Sequence, residues 1–130
     1  MRAITIKQPW ASLIVEGLKD IENRTWATKY RGPVLIHASA KYACSFPHEA
    51  LSNEQFDALS REKQNELLLR DYPVSAIIGQ VDIVDCVQNH PSVWGERSVW
   101  NWVLSNPVKF DAPVLDVKGR LSFWEWNGQI

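Results

Sequence analysis

Apolar positions along the chain follow two periods, and the changes between them mark the elements. "AITI" (Ala3–Ile6) is a short β-prone run. Pro9 follows where a helix can begin, since its missing N–H is harmless in a first turn. Trp10, Leu13 and Ile14 then recur at the i, i+3, i+4 spacing of one helix face. Gly17 is placed to cap that helix at its C-terminus. "PWASLIVEG" therefore predicts a short helix, and "LKDIENR" an extended exit from it. "YRGP" is a turn signal and "VLIHA" a strand.

Farther on, Ser52 opens "SNEQ", a capping-box pattern ahead of Phe56 and Leu59, and predicts a helix over 53–70 with a charged outer face. "DYP" breaks it. "SAIIGQVDIVDCV" predicts a long strand with a bulge at Gly79. "VWNWVL" fits either a strand or a helical turn. "VKF", "PVLDV" and "LSFWEW" read as short strands punctuated by Asn106-Pro107, Pro113 and Gly119. Five or six short strands with turns between them, plus two helices, predict an α+β fold: a small β-barrel decorated by helices.

Composition narrows the class. A length of 130 residues predicts one domain, 1–130, long enough to bury a core without disulfides or metals. Two cysteines, Cys44 and Cys86, are too few for a secreted disulfide scaffold and read as free thiols of a cytoplasmic protein. "MRAITIKQPW" has no apolar core of a signal peptide, and no stretch approaches a membrane span. A monomer without cofactor is expected. Cys44 and His48 have C-x-x-x-H spacing but no second ligand pair, so no metal site is expected either.

Charge changes the picture locally rather than globally. The formal net charge is −1, but residues 1–41 carry seven Lys/Arg against three Asp/Glu, and residues 42–130 carry seven against twelve. Within the basic part lies "GLKDIENR", three charges of both signs between two runs apolar enough to be core. Gly17 permits a sharp helix exit. In an extended "DIENR", Glu22 and Arg24 share one face while Ile21 and Asn23 share the other. A bend near Lys19 brings its ammonium to the Glu22 face. Arg24 then offers a planar fork for phosphate or base edges. Lys19 offers a compact charge tunable by burial. Glu22 can accept from an exocyclic amine or act as a general base. The competing reading is a salt-bridge network that holds the helix to the barrel.

Lys7, Gln8 and Trp10 form a second candidate group at the helix entrance, where free N–H groups attract an anion. Gln8 as a cap and Trp10 as core is the alternative. His37, alone in an apolar strand, reads mainly as a core residue bonded to backbone, and otherwise as facing the Lys19 cleft with Ser39 beyond it. Asp82 and Asp85 are further carboxylates that nothing local selects. The seven tryptophans suggest core packing, with a stacking surface for bases as the functional alternative. There is no P-loop, dinucleotide fingerprint or G-x-S-x-G.

"GLKDIENR" resembles the G-x-K-x-x-E-x-R signature of the ASCH domain, a branch of the PUA-like β-barrels. "ITIKQPWASLIVEG" before it, "YRGPVLIHAS" after it, "IIGQVDIVDC" and the closing "GRLSFWEW" extend the likeness over essentially the whole chain. The resemblance implies a barrel with a helix-lined cleft that binds RNA or a nucleotide-like ligand. It also implies an alternative, since some relatives are amidohydrolases of N4-acylated cytidines and ribonuclease activity is attributed to others. In the amidohydrolase branch a threonine stands three residues after the signature lysine. Here that position is Glu22, so water is the expected nucleophile of any hydrolysis, with Glu22 as base and Lys19 stabilising developing charge. Thr25 does not match the motif position.

Overall fold

The computed structural model describes residues 1–130. Strand β1 (Arg2–Gln8) leads into helix α1 (Trp10–Val15), followed by β2 (Ile21–Arg24) and β3 (Gly32–Tyr42). A 3₁₀ turn at Pro47–Ala50 precedes α2 (Asn53–Asp57) and α3 (Arg61–Leu67). Then come β4 (Ala76–Val87), β5 (Trp100–Val114) and β6 (Phe123–Glu125). The strands form one mixed sheet in the order β2-β5-β4-β3-β1-β6, with β1 and β3 parallel and the other neighbours antiparallel.

The sheet curls into a barrel that no backbone hydrogen bonds close. Aromatic packing brings the two ends together instead. Phe123 of β6 stacks on Trp102 of β5 at 5.3 Å, and Trp26 meets both rings edge-on. Arg24 adds a polar tie from β2 to β1, its guanidinium donating to the Thr5 carbonyl at 3.1 Å. Inside lie Ile4, Ile6, Val34, Ile36, Val81 and Trp102, all buried, with α1 plugging one end through Ala11, Ile14 and Val15. Gly79 makes that plug fit: a Cβ there would stand 2.3 Å from the Val108 carbonyl and 2.7 Å from Val15 Cγ1.

α1 ends at Gly17 as its pattern predicts. Gly17 has φ +80°, Leu18 N donates to Leu13 O and Gly17 N to Ile14 O, the bonds of a Schellman motif. A bulge also falls beside Gly79, where the β3–β4 register shifts.

Two expectations fail. The single helix over 53–70 is two short helices, because Ser60 accepts a hydrogen bond from Lys63 N and caps α3 afresh. The separate strands expected over 100–114 are one strand. Asn106-Pro107 and Pro113 do not end it; they sit in bulges between its pairings with β4, opposite Val81 and Ile78, where no ladder N–H is needed.

Candidate functional site

The Schellman turn throws Leu18 outward and Lys19 inward. Lys19 is 4% exposed and Glu22 is 7% exposed. β2 is an edge strand, so part of its backbone lacks a strand partner. The Lys19 ammonium donates to one such group, the Ile21 carbonyl. It also lies 3.7 Å from Glu22 Oε1 and 5.7 Å from the centre of the Trp10 ring. Arg24 Nε donates to Glu22 Oε2 at 2.8 Å. Burial pushes the Lys19 pKa down, and the pull of Glu22, Glu96 and Asp20 does not restore it.

This cluster floors a pocket of about 340 Å³ lined by Trp10, Lys19, Glu22, Asn23, Gln55, Trp94 and Glu96 together with Ala50. The segment carrying Trp94 and Glu96 is pinned to β2. Asn23 Nδ2 donates to Trp94 O at 2.9 Å, and Asn23 Oδ1 accepts from Glu96 N and from Asn101 Nδ2. Asn101, fully buried, donates also to Glu96 O and accepts from His90 N. Gln55 anchors the other wall, its amide donating to Val93 O at 3.0 Å. The two asparagines, Gln55, Trp94 and Glu96 were not singled out from the sequence. Their signal is tertiary: none of them is brought to the site until the 88–99 segment folds over β2.

Lys19, Glu22 and Trp10 thus come together. The remaining candidates go elsewhere. Arg24 lies behind Glu22, holding its second oxygen and the barrel seam. Gln8 is buried and serves α1 internally: its Oε1 accepts from Ser12 N at 3.0 Å, and its Nε2 donates to Ser12 Oγ and Pro73 O. The free N–H that was expected to attract an anion is therefore occupied by the chain itself. Lys7 is exposed on β1 and does not line this pocket. His37 does not face Lys19. With Ser39 it lines a second hollow on another side of the sheet. His37 Nε2 donates to Val117 O at 2.6 Å and Nδ1 accepts from the Thr5 hydroxyl, which itself accepts from Trp124 Nε1. Burial lowers its pKa. Asp82 and Asp85 bond Asn106 and Arg31 on the outside of β4. Thr25 is exposed.

A small α+β barrel of mixed strands, plugged by a short helix, is a fold of the PUA-like class. Within it the chain belongs to the ASCH domain family, which it matches over residues 4–114. It is similar to Activating signal cointegrator 1 of Homo sapiens, 33% identical over 138 residues that take in 98% of this chain and 22% of that protein. The corresponding Mus musculus protein is 32% identical over the same share. The chain spans about a fifth of the length of these relatives. No helix is long and apolar enough to cross a membrane.

Proposed function

We propose that the pocket between Trp10 and Trp94 binds a nucleobase, free as a nucleoside or at one position of an RNA strand. The observation that carries this reading is a buried ammonium and carboxylate, Lys19 and Glu22, on the floor of a pocket flanked by two indoles. Trp10, partly exposed, supplies a stacking face worth about 1–3 kcal/mol per base, while Trp94, 4% exposed, forms the wall opposite it. Lys19 donates and Glu22 accepts, which complements a base edge carrying both a carbonyl and an exocyclic amine, as cytosine and guanine do. Glu96 at the mouth adds a second acceptor. With one cation and two carboxylates lining it, the pocket suits a neutral, amine-bearing edge better than a phosphate. Its volume sits at the small end for ligand pockets. RNA binding is the role expected of the ASCH family, and the pocket offers it a base-reading position.

The test is titration with cytidine, guanosine, adenosine and uridine, followed by tryptophan fluorescence. Cytidine or guanosine should bind best, and Trp10→Ala should weaken binding about tenfold. Absence of binding by all four nucleosides, or equal affinity in Trp10→Ala, would overturn the reading.

A hydrolytic second reading is favoured by one observation. A pocket lysine whose pKa is lowered by burial is a frequent mark of a reacting group. Incubation with N4-acetylcytidine and with RNA decides it. Product release that is lost in Lys19→Met and Glu22→Gln would convert the binding site into an active site.

A further inference from the structure

The second hollow, of about 790 Å³, shares no residue with the Lys19 pocket. Thr5 of β1 and His37 and Ser39 of β3 form its floor, and the segment Asp116–Leu121 forms its wall. Lys41, Lys118 and Arg120 stand around it, against one carboxylate, Asp116. All three cations are exposed and none makes an ion pair or side-chain hydrogen bond. Lys19, Arg24, Arg31, Lys63 and Lys109 are ion-paired, and the three around the hollow belong with the other surface cations whose charge no carboxylate takes up. Lys7, two residues beyond Thr5, lies on the same face of β1.

The wall is held firmly. His37 grips the Val117 carbonyl, Val117 N donates to Ser75 O at 2.8 Å, and the Val117 side chain is buried against Ala3, Leu35 and Trp124. Gly119 presses so close that a Cβ would stand 2.6 Å from Thr5 Oγ. Ser75 and Asp116, both in the lining of the hollow, have φ of 51° and 56°, left-handed backbone on residues other than glycine. Such conformations persist only where the surroundings over-determine them, and they cluster at ligand sites. The cations are thus presented on a fixed frame and not on a loose loop.

We propose that this hollow is a phosphate-binding groove that takes the phosphodiester backbone of single-stranded RNA. Unpaired lysines and an arginine supply charge and a bidentate fork. Hydroxyls at Ser39 and Ser75 add neutral donors, and Leu121, 93% exposed, offers an apolar contact at the rim. The division of labour follows from charge: the Lys19 pocket, lined by more carboxylates than cations, reads a base, and phosphates go to the face that is cationic. The inference rests on the reading above only in taking the strand to be RNA.

The test is fluorescence anisotropy of a labelled 12-nucleotide single-stranded RNA at several salt concentrations, with the wild type and the triple variant Lys41→Ala/Lys118→Ala/Arg120→Ala. Each phosphate neutralised on a single strand contributes about 0.7 to the slope of log affinity against log salt, so the triple variant should lose about 2 from that slope. Affinity should fall for every RNA sequence alike, while free-nucleoside binding and Tm stay as in the wild type. An unchanged slope, or no RNA binding by the wild type, overturns the inference and leaves the base pocket standing. RNA binding that depends on the three cations while no nucleoside binds supports the groove and overturns the base pocket. If poly-glutamate displaces the RNA and binds more tightly than it, the groove serves an acidic protein and the inference fails.

Discussion

Lys19→Met separates the ligand role of the buried lysine from a structural one. The substitution keeps length and removes charge. In general, removing one partner of a buried ion pair destabilises by about 3–5 kcal/mol, because the other charge is stranded. Glu22 is not stranded here, since Arg24 Nε still donates to it at 2.8 Å. The Ile21 carbonyl loses its lysine donor, which costs about 1 kcal/mol. Against this, burial lowers the Lys19 pKa despite three nearby carboxylates, so the charged ammonium is itself disfavoured in the folded state. Methionine removes that disfavoured charge while Glu22 keeps its Arg24 partner, so the penalty of a stranded charge does not apply, and the expected net is a gain of about 1 kcal/mol, or about 4 °C in Tm for a domain of this size. The pH dependence has a definite sign. The folded pKa lies below the unfolded 10.5, so the unfolded chain holds the extra proton between the two values, and wild-type stability rises with pH across that window. The advantage of Lys19→Met should therefore be largest on the acid side and shrink as pH approaches 10.5. Differential scanning calorimetry from pH 7 to 10 measures it, and nucleoside titration of the same samples should show lost affinity. A lower Tm, or an advantage that widens with pH, would refute the reasoning and make Lys19 a strut of the fold.

Glu22→Gln leaves Lys19 and Arg24 facing each other without a buried counter-charge, so urea unfolding should show a loss of about 3 kcal/mol together with weakened ligand binding. Gly79→Ala forces a Cβ into the Val108 carbonyl and Val15 and should destabilise by about 3 kcal/mol, read as a lower urea midpoint. His37 has a folded pKa below the ordinary 6.5, so the unfolded chain takes up the proton first; its contribution is full above pH 6.5 and is lost as pH falls below it. Tm should accordingly drop between pH 7 and pH 5, and His37→Asn should start lower and lose that part of the slope. Ser60→Ala removes the cap of α3 and should cost about 1 kcal/mol without touching either pocket, checked by calorimetry and titration.

The early part of the chain was legible because its signals are local. Gly17 marks a helix end that the Schellman bonds confirm, and the "DIENR" alternation correctly sets Glu22 and Arg24 apart from Ile21. Legibility fell where a local signal had two meanings. Pro107 and Pro113 read as strand breaks because proline lacks the ladder N–H; in β5 the bulges remove the need for that N–H, a fact set by the register of β4. Ser60 was overlooked because the apolar pattern runs through it, though its hydroxyl restarts the helix. One wall of the Lys19 pocket, Trp94 and Glu96, comes from the 88–99 segment, placed by Asn23 and Asn101, and no periodicity announces a contact across some seventy residues of chain. For His37 the main reading holds, since it is buried and bonds the Val117 carbonyl, and only the alternative that it faces the Lys19 cleft with Ser39 beyond it fails. The two residues follow the signature closely in sequence, but strand alternation sends them to the outer face of β3 and so to the cationic hollow.

Three charges of both signs beside a core are resolved by separating their tasks. Arg24 faces the seam of an unclosed barrel and ties β2 to β1 through the Thr5 carbonyl, while its Nε saturates one oxygen of Glu22. Glu22 keeps its other oxygen towards Lys19 and the pocket. Lys19 is the member whose charge the fold opposes, and it is the one set under Trp10 at the pocket floor. A residue held in an unfavourable state by its own fold, with donors left over and an indole beside it, is placed to gain from a partner that the chain does not supply. The Arg24–Glu22 pair would serve a purely structural protein equally well. The proposed ligand role predicts that the buried lysine, unlike that pair, can be removed without loss of stability but not without loss of binding, and that asymmetry within one six-residue motif is what Lys19→Met tests.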